Sequence, residues 1–200
     1  MLIVISSPTV VVQEAEIINN LLDEGLELFH LRKPDAQIDE LKYLLGNIKP
    51  DHWNKIALHQ HHELVKNADI KRLHFTEKHR KETSEEKLME LKANSYILST
   101  SIHRIEERDE ISSAFDYAFF GPVFDSISKK GYTSTLKEGF VLPKQKIGAP
   151  KLIAIGGIAT SNIGKIRSMG FHGAAALGAI WENPSESVQQ FKALQKAWNR

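Results

Sequence analysis

Cysteine is absent from the 200 residues. That excludes disulfides, thiolate metal sites and cysteine nucleophiles, and leaves a cytoplasmic enzyme as the simplest expectation. Long apolar runs are also missing, so no segment reaches the ~20 residues that cross a bilayer as a helix. The opening MLIVISSPTV lacks a basic leader and reads as a buried first strand rather than a signal peptide. A formal net charge of +1 provides no global attraction to nucleic acid or to an anionic membrane. GxSxG, Walker and GxGxxG motifs are absent. So are linkers, low-complexity tracts and repeats, and residues 1–200 read as a single domain with an ordinary 42% hydrophobic content.

What is present is a regular alternation of strand and helix. Strands are expected at Leu2–Ile5, 27–31, 55–58, Arg72–Phe75, 95–99, Phe115–Phe120, Lys151–Ile155 and 173–177. Helices are expected over 13–24, 38–45, from Thr83 or Ser84 to 92, near 136–145, after Thr160–Asn162, and from Pro184 or Ser185 onward. The last is amphipathic, with Val188, Phe191, Leu194 and Trp198 at helical spacing. Eight such strands favour an α/β fold, a single (β/α)8 TIM barrel, over a doubly wound sheet.

The chain is organised around residues 151–180, KLIAIGGIATSNIGKIRSMGFHGAAALGAI. Two successive strands there end in glycines beside helix starts, at Gly156–Gly157 and at Leu177–Gly178. Such turns let backbone N–H groups converge on an anion with no Cβ in the way. A phosphate site at the ends of the last two strands is the arrangement expected of a barrel, and a phosphorylated small molecule is the expected partner. The plainer alternative is that both glycine pairs only make tight turns.

The carboxyl ends of the other strands are polar. They collect His30, Arg32, Lys33, His59, Gln60, His74, Ser101 and His103, together with the loop GPVFDSISKKGY at 121–132. Arg32 offers a fork suited to phosphate oxygens, or to a salt bridge at the barrel rim. Ser126, Ser128 and Lys129 supply two hydroxyls and a cation on one loop. Nine histidines invite a metal reading, most of all at His59, His61 and His62. The spacing HQHH is not HExxH, however, and at most one of His61 and His62 could join His59, so a transition-metal site is disfavoured. Trp53, Trp181 and Trp198 read as packing. The sequence selects no oligomeric state.

Taken in order, HLRKPD at 30–35, LSTSIH at 98–103, GPVFDSISKKGY at 121–132 and IAIGGI at 153–158 resemble the thiamine phosphate synthase and TenI superfamily of small (β/α)8 barrels. The resemblance covers essentially the whole chain. For the synthase branch it implies condensation of hydroxymethylpyrimidine pyrophosphate with thiazole phosphate, releasing pyrophosphate. Arg32, Ser126, Ser128 and Lys129 would then be catalytic, holding and neutralising the departing pyrophosphate. His30, His59, Gln60, His74, Ser101 and His103 would surround the substrates, with Gly157, Leu177 and Gly178 cradling the thiazole phosphate.

The resemblance also implies Mg2+, but the aspartates that would hold it are replaced at Gln60 and His79. Neither side chain supplies the hard anionic oxygen that magnesium prefers. His30 replaces a glutamine, and Pro34 replaces a lysine whose part Lys33 could take. A magnesium-independent TenI-type thiazole tautomerase is the alternative implied, although its histidine position is Pro122 here. A non-catalytic phosphate-binding or regulatory barrel is the third. His30, His59, His74 and His103 are all candidate proton shuttles, because histidine titrates near neutrality.

Overall fold

The computed structural model describes residues 1–67, 69–125, 136–137 and 139–200. Eight parallel strands follow one another around a closed barrel: β1 (Leu2–Ile5), β2 (Leu28–Leu31), β3 (Ile56–Leu58), β4 (Arg72–Phe75), β5 (Ile97–Ile102), β6 (Phe115–Phe120), β7 (Lys151–Ile155) and β8 (Gly173–Ala176). The β1–β8 pairing, with Ile3 opposite Ala175, closes the circle. The expected TIM barrel is the fold observed.

The strands are apolar on both faces because each face has a core to fill. Ile3, Ile5, Leu28, Ala57, Tyr117, Phe119, Ile153 and Ala175 point inward and form the barrel's own interior. The alternate residues, among them Val4, Phe29, Leu31, Leu98, Phe120 and Ala154, meet the surrounding helices in a second core. Those helices are α1 (Glu14–Asp23), α2 (Ile38–Gly46), α3 (Glu77–Glu82), α4 (Glu85–Ala93), α5 (Ile163–Ser168), α6 (Gly178–Trp181) and α7 (Ser187–Trp198). In α7, Phe191, Leu194 and Trp198 are buried and Val188 packs against the core, as their spacing predicts.

Several elements depart from the sequence expectation. Strand β5 runs on to Ile102, which places Ser101 inside the strand rather than beyond it. Helix α3 was not anticipated; Thr76 starts it by accepting a hydrogen bond from the His79 N–H at 3.2 Å. The expected helix near 136–145 is not formed among the described residues. Gly139 and Gly148 adopt positive φ and Pro143 withholds a donor, so the described residues of this stretch follow an irregular path. It is held there by Arg108, which donates to the Pro143 and Lys144 carbonyls at 3.1 Å each, and by Leu142 N–H to the Met169 carbonyl at 2.8 Å.

Candidate active site

A cavity of about 410 Å³ opens at the carboxyl ends of the strands. One wall is made of backbone. Gly156 and Gly157 follow β7 with φ of 93° and 63°, and a Cβ on Gly157 would lie 2.4 Å from the Asp125 carbonyl oxygen. Only glycine fits there, because the chain after β6 runs directly across the turn: Val123 N–H donates to Ile155 O at 2.9 Å and Phe124 N–H to Gly156 O at 3.2 Å. Asn162 fixes the far side, donating to the Gly157 carbonyl at 2.8 Å and accepting from Ala159 N–H at 2.9 Å. Leu177, Gly178 and Ala179, after β8, line the same cavity as Gly157 and Ile158. Among the described residues, no carbonyl accepts from the N–H groups of Gly157, Ile158, Gly178 or Ala179. The two turns therefore adjoin, their amides without a backbone partner among the described residues.

The opposite wall is made of side chains. Arg32, His59, His74, Ser101 and His103 line it, as the sequence suggests, together with Thr76, Glu77 and Phe119, which the sequence did not single out. The Arg32 guanidinium is exposed and has no ion-pair partner among the described residues. His103 donates to the Gly121 carbonyl at 3.2 Å. His59 and His74 form the floor, their rings stacked 4.0 Å apart. Burial drives the His74 pKa down to about 3, helped by nearby His62 and Arg32. The same desolvation, with His74 and His30 adding, holds His59 well below the usual histidine range.

Other expected residues are placed elsewhere. His30 lies one layer deeper, fully buried, with Nδ1 2.8 Å from His59 Nε2 and Nε2 2.8 Å from the Tyr117 hydroxyl. Lys33 does not reach in. Its ammonium is buried against Glu14 at 2.5 Å and the Thr9 carbonyl at 2.7 Å. Gln60 is outside the cavity lining, its amide clamped on the Lys33 backbone in both directions: the Lys33 N–H donates at 3.2 Å and the Lys33 carbonyl accepts. His61 turns to Glu63, and His62 donates into the Leu58 and His74 carbonyls, so neither joins His59. Ser126, Ser128 and Lys129 lie outside the described residues.

Tyr117, Phe119 and Ser99 were missed, yet a signal existed. Residues two apart on a strand share a face, and Ser99/Ser101 and Tyr117/Phe119 follow the inward parity of their strands.

Magnesium takes an octahedral set of oxygen ligands. Among the described residues the one carboxylate lining the cavity is Glu77, which is tied to Lys81 at 2.5 Å. Gln60 is committed to Lys33, and His79 packs its ring on His62 and Phe75. The described residues do not fit magnesium. His30, His59 and His74 do place one nitrogen each within 4.8 Å of one another. Those nitrogens are already engaged, His30 with His59 and His74 with Ser99 and Ser101 at 3.0 and 3.1 Å.

A family model described as thiamine monophosphate synthase (TMP-TENI) matches residues 1–180. The chain belongs to this family. It is similar to the thiamine-phosphate synthase of Haemophilus influenzae strain PittEE, 32% identical over 105 residues, which is 50% of this chain and 46% of that one. In that match the chain spans about half the length of its relative. A longer likeness is to the thiamine-phosphate synthase of Bacteroides fragilis, 26% identical over 186 residues and 87% of that protein. Among solved structures, the thiamine phosphate pyrophosphorylase of Bacteroides thetaiotaomicron superposes with a TM-score of 0.75 at 25% identity, covering 99% of this chain and 97% of the other. Within the thiamine monophosphate synthase family, then, this chain sets a pair of glycine turns against a wall that carries His59, His74 and His103.

Proposed function

We propose that the barrel binds a thiazole phosphate and moves a proton on it without a metal, the tautomerase-type reaction of the superfamily. The observation that carries this reading is one cavity holding two glycine turns with open amides beside two neutral imidazoles, with no magnesium ligand set among the described residues. The phosphate would rest on the N–H groups of Gly157, Ile158, Gly178 and Ala179, and the ring would lie over His59 and His74. Pro122 leaves the superfamily's usual histidine position without a base, so the acid–base role passes to the floor of the cavity.

Each floor imidazole is neutral at pH 7 and so carries one N–H and one bare nitrogen. A neutral pair can accept one proton and supply another with no net change of charge, which is what a tautomerisation requires. The test is incubation with the carboxylated thiazole phosphate in deuterated buffer containing a chelator, followed by NMR. Isomerisation above the uncatalysed rate, with solvent deuterium entering the product, is the expected result. Folded protein that binds thiazole phosphate yet leaves the substrate unchanged would overturn the proposal.

The exposed Arg32 guanidinium at the cavity wall, without an ion-pair partner among the described residues, supports a second reading, the synthase-type condensation, since it suits a pyrophosphate. Thiamine phosphate formed from both synthase substrates with added magnesium would establish it.

A further inference from the structure

Strand parity carries two serines and a histidine to one inner face of the barrel. Ser99 and Ser101 alternate on β5, and His74 on β4 is the register partner of Ser99. The imidazole is bracketed by the two hydroxyls, with Nδ1 3.0 Å from Ser99 Oγ and Nε2 3.1 Å from Ser101 Oγ. Ser99 and His74 are buried, whereas Ser101 is partly exposed and lines the cavity. The Ser101 backbone is held as well, its carbonyl accepting from Arg80 at 3.2 Å.

The hydrogens of this set follow from counting. Burial drives the His74 pKa down to about 3, so at pH 7 its ring is neutral and carries one N–H. Each hydroxyl carries one hydrogen more. Ser99 Oγ also lies 3.4 Å from the Leu73 carbonyl, which accepts and has no hydrogen to give. When Ser99 donates to Leu73, it accepts from His74 Nδ1–H. Nε2 is then bare and accepts from the Ser101 hydroxyl, and all three hydrogens are used. The reverse arrangement turns the Ser99 hydrogen toward Nδ1 and puts the ring hydrogen on Nε2, facing Ser101. It gives up the Leu73 carbonyl and leaves the Ser101 hydrogen without a partner among the described residues. The first arrangement makes one more hydrogen bond in a buried place, and it is favoured for that reason.

We propose that Ser101 faces the cavity purely as a hydrogen-bond acceptor, its own hydrogen held by His74, and that it selects ligands presenting a polarised hydrogen to the side-chain wall. This deepens the reading of the cavity as a thiazole phosphate site and rests on it. Ser101 is the residue that touches ligand. His74 and Ser99 are positioning residues that act through it, by fixing which way its hydroxyl points.

The ligand class follows from the layout. With the phosphate on the turns after β7 and β8, the far edge of the ring meets the wall on which Ser101 lies. A phosphorylated heterocycle with an N–H, an O–H or an acidic C–H at that edge finds two lone pairs waiting. The acidic C–H of the tautomerase substrate is such a hydrogen. A heterocycle with a bare acceptor there sets lone pair against lone pair, and no hydrogen on Ser101 is free to relieve it.

The probes are two derivatives of thiazole phosphate substituted on the ring carbon across from the phosphate tail. In the 2-amino compound the substituent only donates; in the 2-formyl compound it only accepts. Calorimetry on the wild type should show the amino compound binding about tenfold more tightly, the effect of one hydrogen bond against one repulsion. Ser101→Ala should bring the two within about threefold. Ser99→Ala lies away from the ligand, yet it removes the acceptor of Nδ1–H, so the ring hydrogen moves to Nε2 and the Ser101 hydrogen is freed. The formyl compound should then bind about tenfold more tightly than it does to the wild type, a gain that loss of packing would not produce. Nitrogen-15 NMR of labelled histidine in the free protein should show the His74 hydrogen on Nδ1 in the wild type and on Nε2 in Ser99→Ala. Equal affinities in the wild type, an amino preference that survives Ser101→Ala, or a wild-type hydrogen on Nε2 would overturn the proposal. Formyl binding unchanged by Ser99→Ala would remove the role given to Ser99. If neither compound binds the wild type, the thiazole phosphate reading falls and the ligand selection with it, while a hydrogen on Nδ1 would still establish Ser101 as an acceptor.

Discussion

The two halves of the cavity are built from different materials. The β7–β8 side is made of backbone: glycine turns, amides unpartnered among the described residues, and a neighbouring strand end pressed against them. The β2–β5 side is made of side chains, and there the hard oxygens that the family resemblance implies have given way to imidazole and amide groups. A backbone cradle tolerates sequence change as long as glycine stays where Cβ cannot go. A side-chain wall can change its chemistry residue by residue without disturbing the barrel beneath. Ligand class can therefore persist while reaction type drifts.

The most severe way to break the contrast is Gly157→Ala. With φ at 63° and the Asp125 carbonyl 2.4 Å from the new Cβ, the turn must shift. Thiazole phosphate affinity by calorimetry should fall about 100-fold, as two charge-assisted contacts are misplaced, and stability should drop by about 3 kcal/mol. His59→Asn attacks the other half. It should cost about 100-fold in kcat while leaving thiazole phosphate affinity within about threefold. Equal losses in binding and turnover would merge the two halves into one.

Acid titration sharpens the comparison at the level of stability. Unfolded histidines take up protons near 6.5, whereas folded His62 and His74 resist until about 4 and about 3. The unfolded chain thus binds more protons between those limits, and stability falls as pH drops through them. The slope should reach about 1.4 kcal/mol per pH unit for each such histidine, measured by denaturant unfolding. His74→Asn should flatten that slope. The smallest effect expected is at the rim: Arg32→Ala should weaken binding of a pyrophosphate ligand about tenfold and of thiazole phosphate less. Equal weakening of both would place Arg32 in the phosphate cradle.

The fold was legible because strand punctuation is local. Arg72–Phe75, Phe115–Phe120 and Lys151–Ile155 are where their sequence pattern puts them. The segment after β6 was misread because a weak helical pattern was outweighed by Gly139, Pro143 and Gly148, and its position depends on Arg108 from a distant turn. Gly157, Gly178, Arg32 and Ser101 could be read from strand ends. The His30–Tyr117 contact could not, since the pair is separated by 87 residues and meets only when strand parity points both rings into the barrel. Lys33 was misjudged for a related reason. Its partner Glu14 sits on α1, and nothing next to Lys33 in sequence announces a buried anion.

Trp181 adds a temporal consequence. Its indole donates to the Ile5 carbonyl at 2.6 Å, pinning the short helix after β8 to the end of the first strand. The seam of the barrel and the turn after β8 are thus linked by a bond between residues 176 apart. During synthesis, a ribosome would have released all eight strands of the barrel before that rivet could close. Affinity for an anionic ligand should accordingly arise late and abruptly, as a property of the finished ring rather than of any fragment of it.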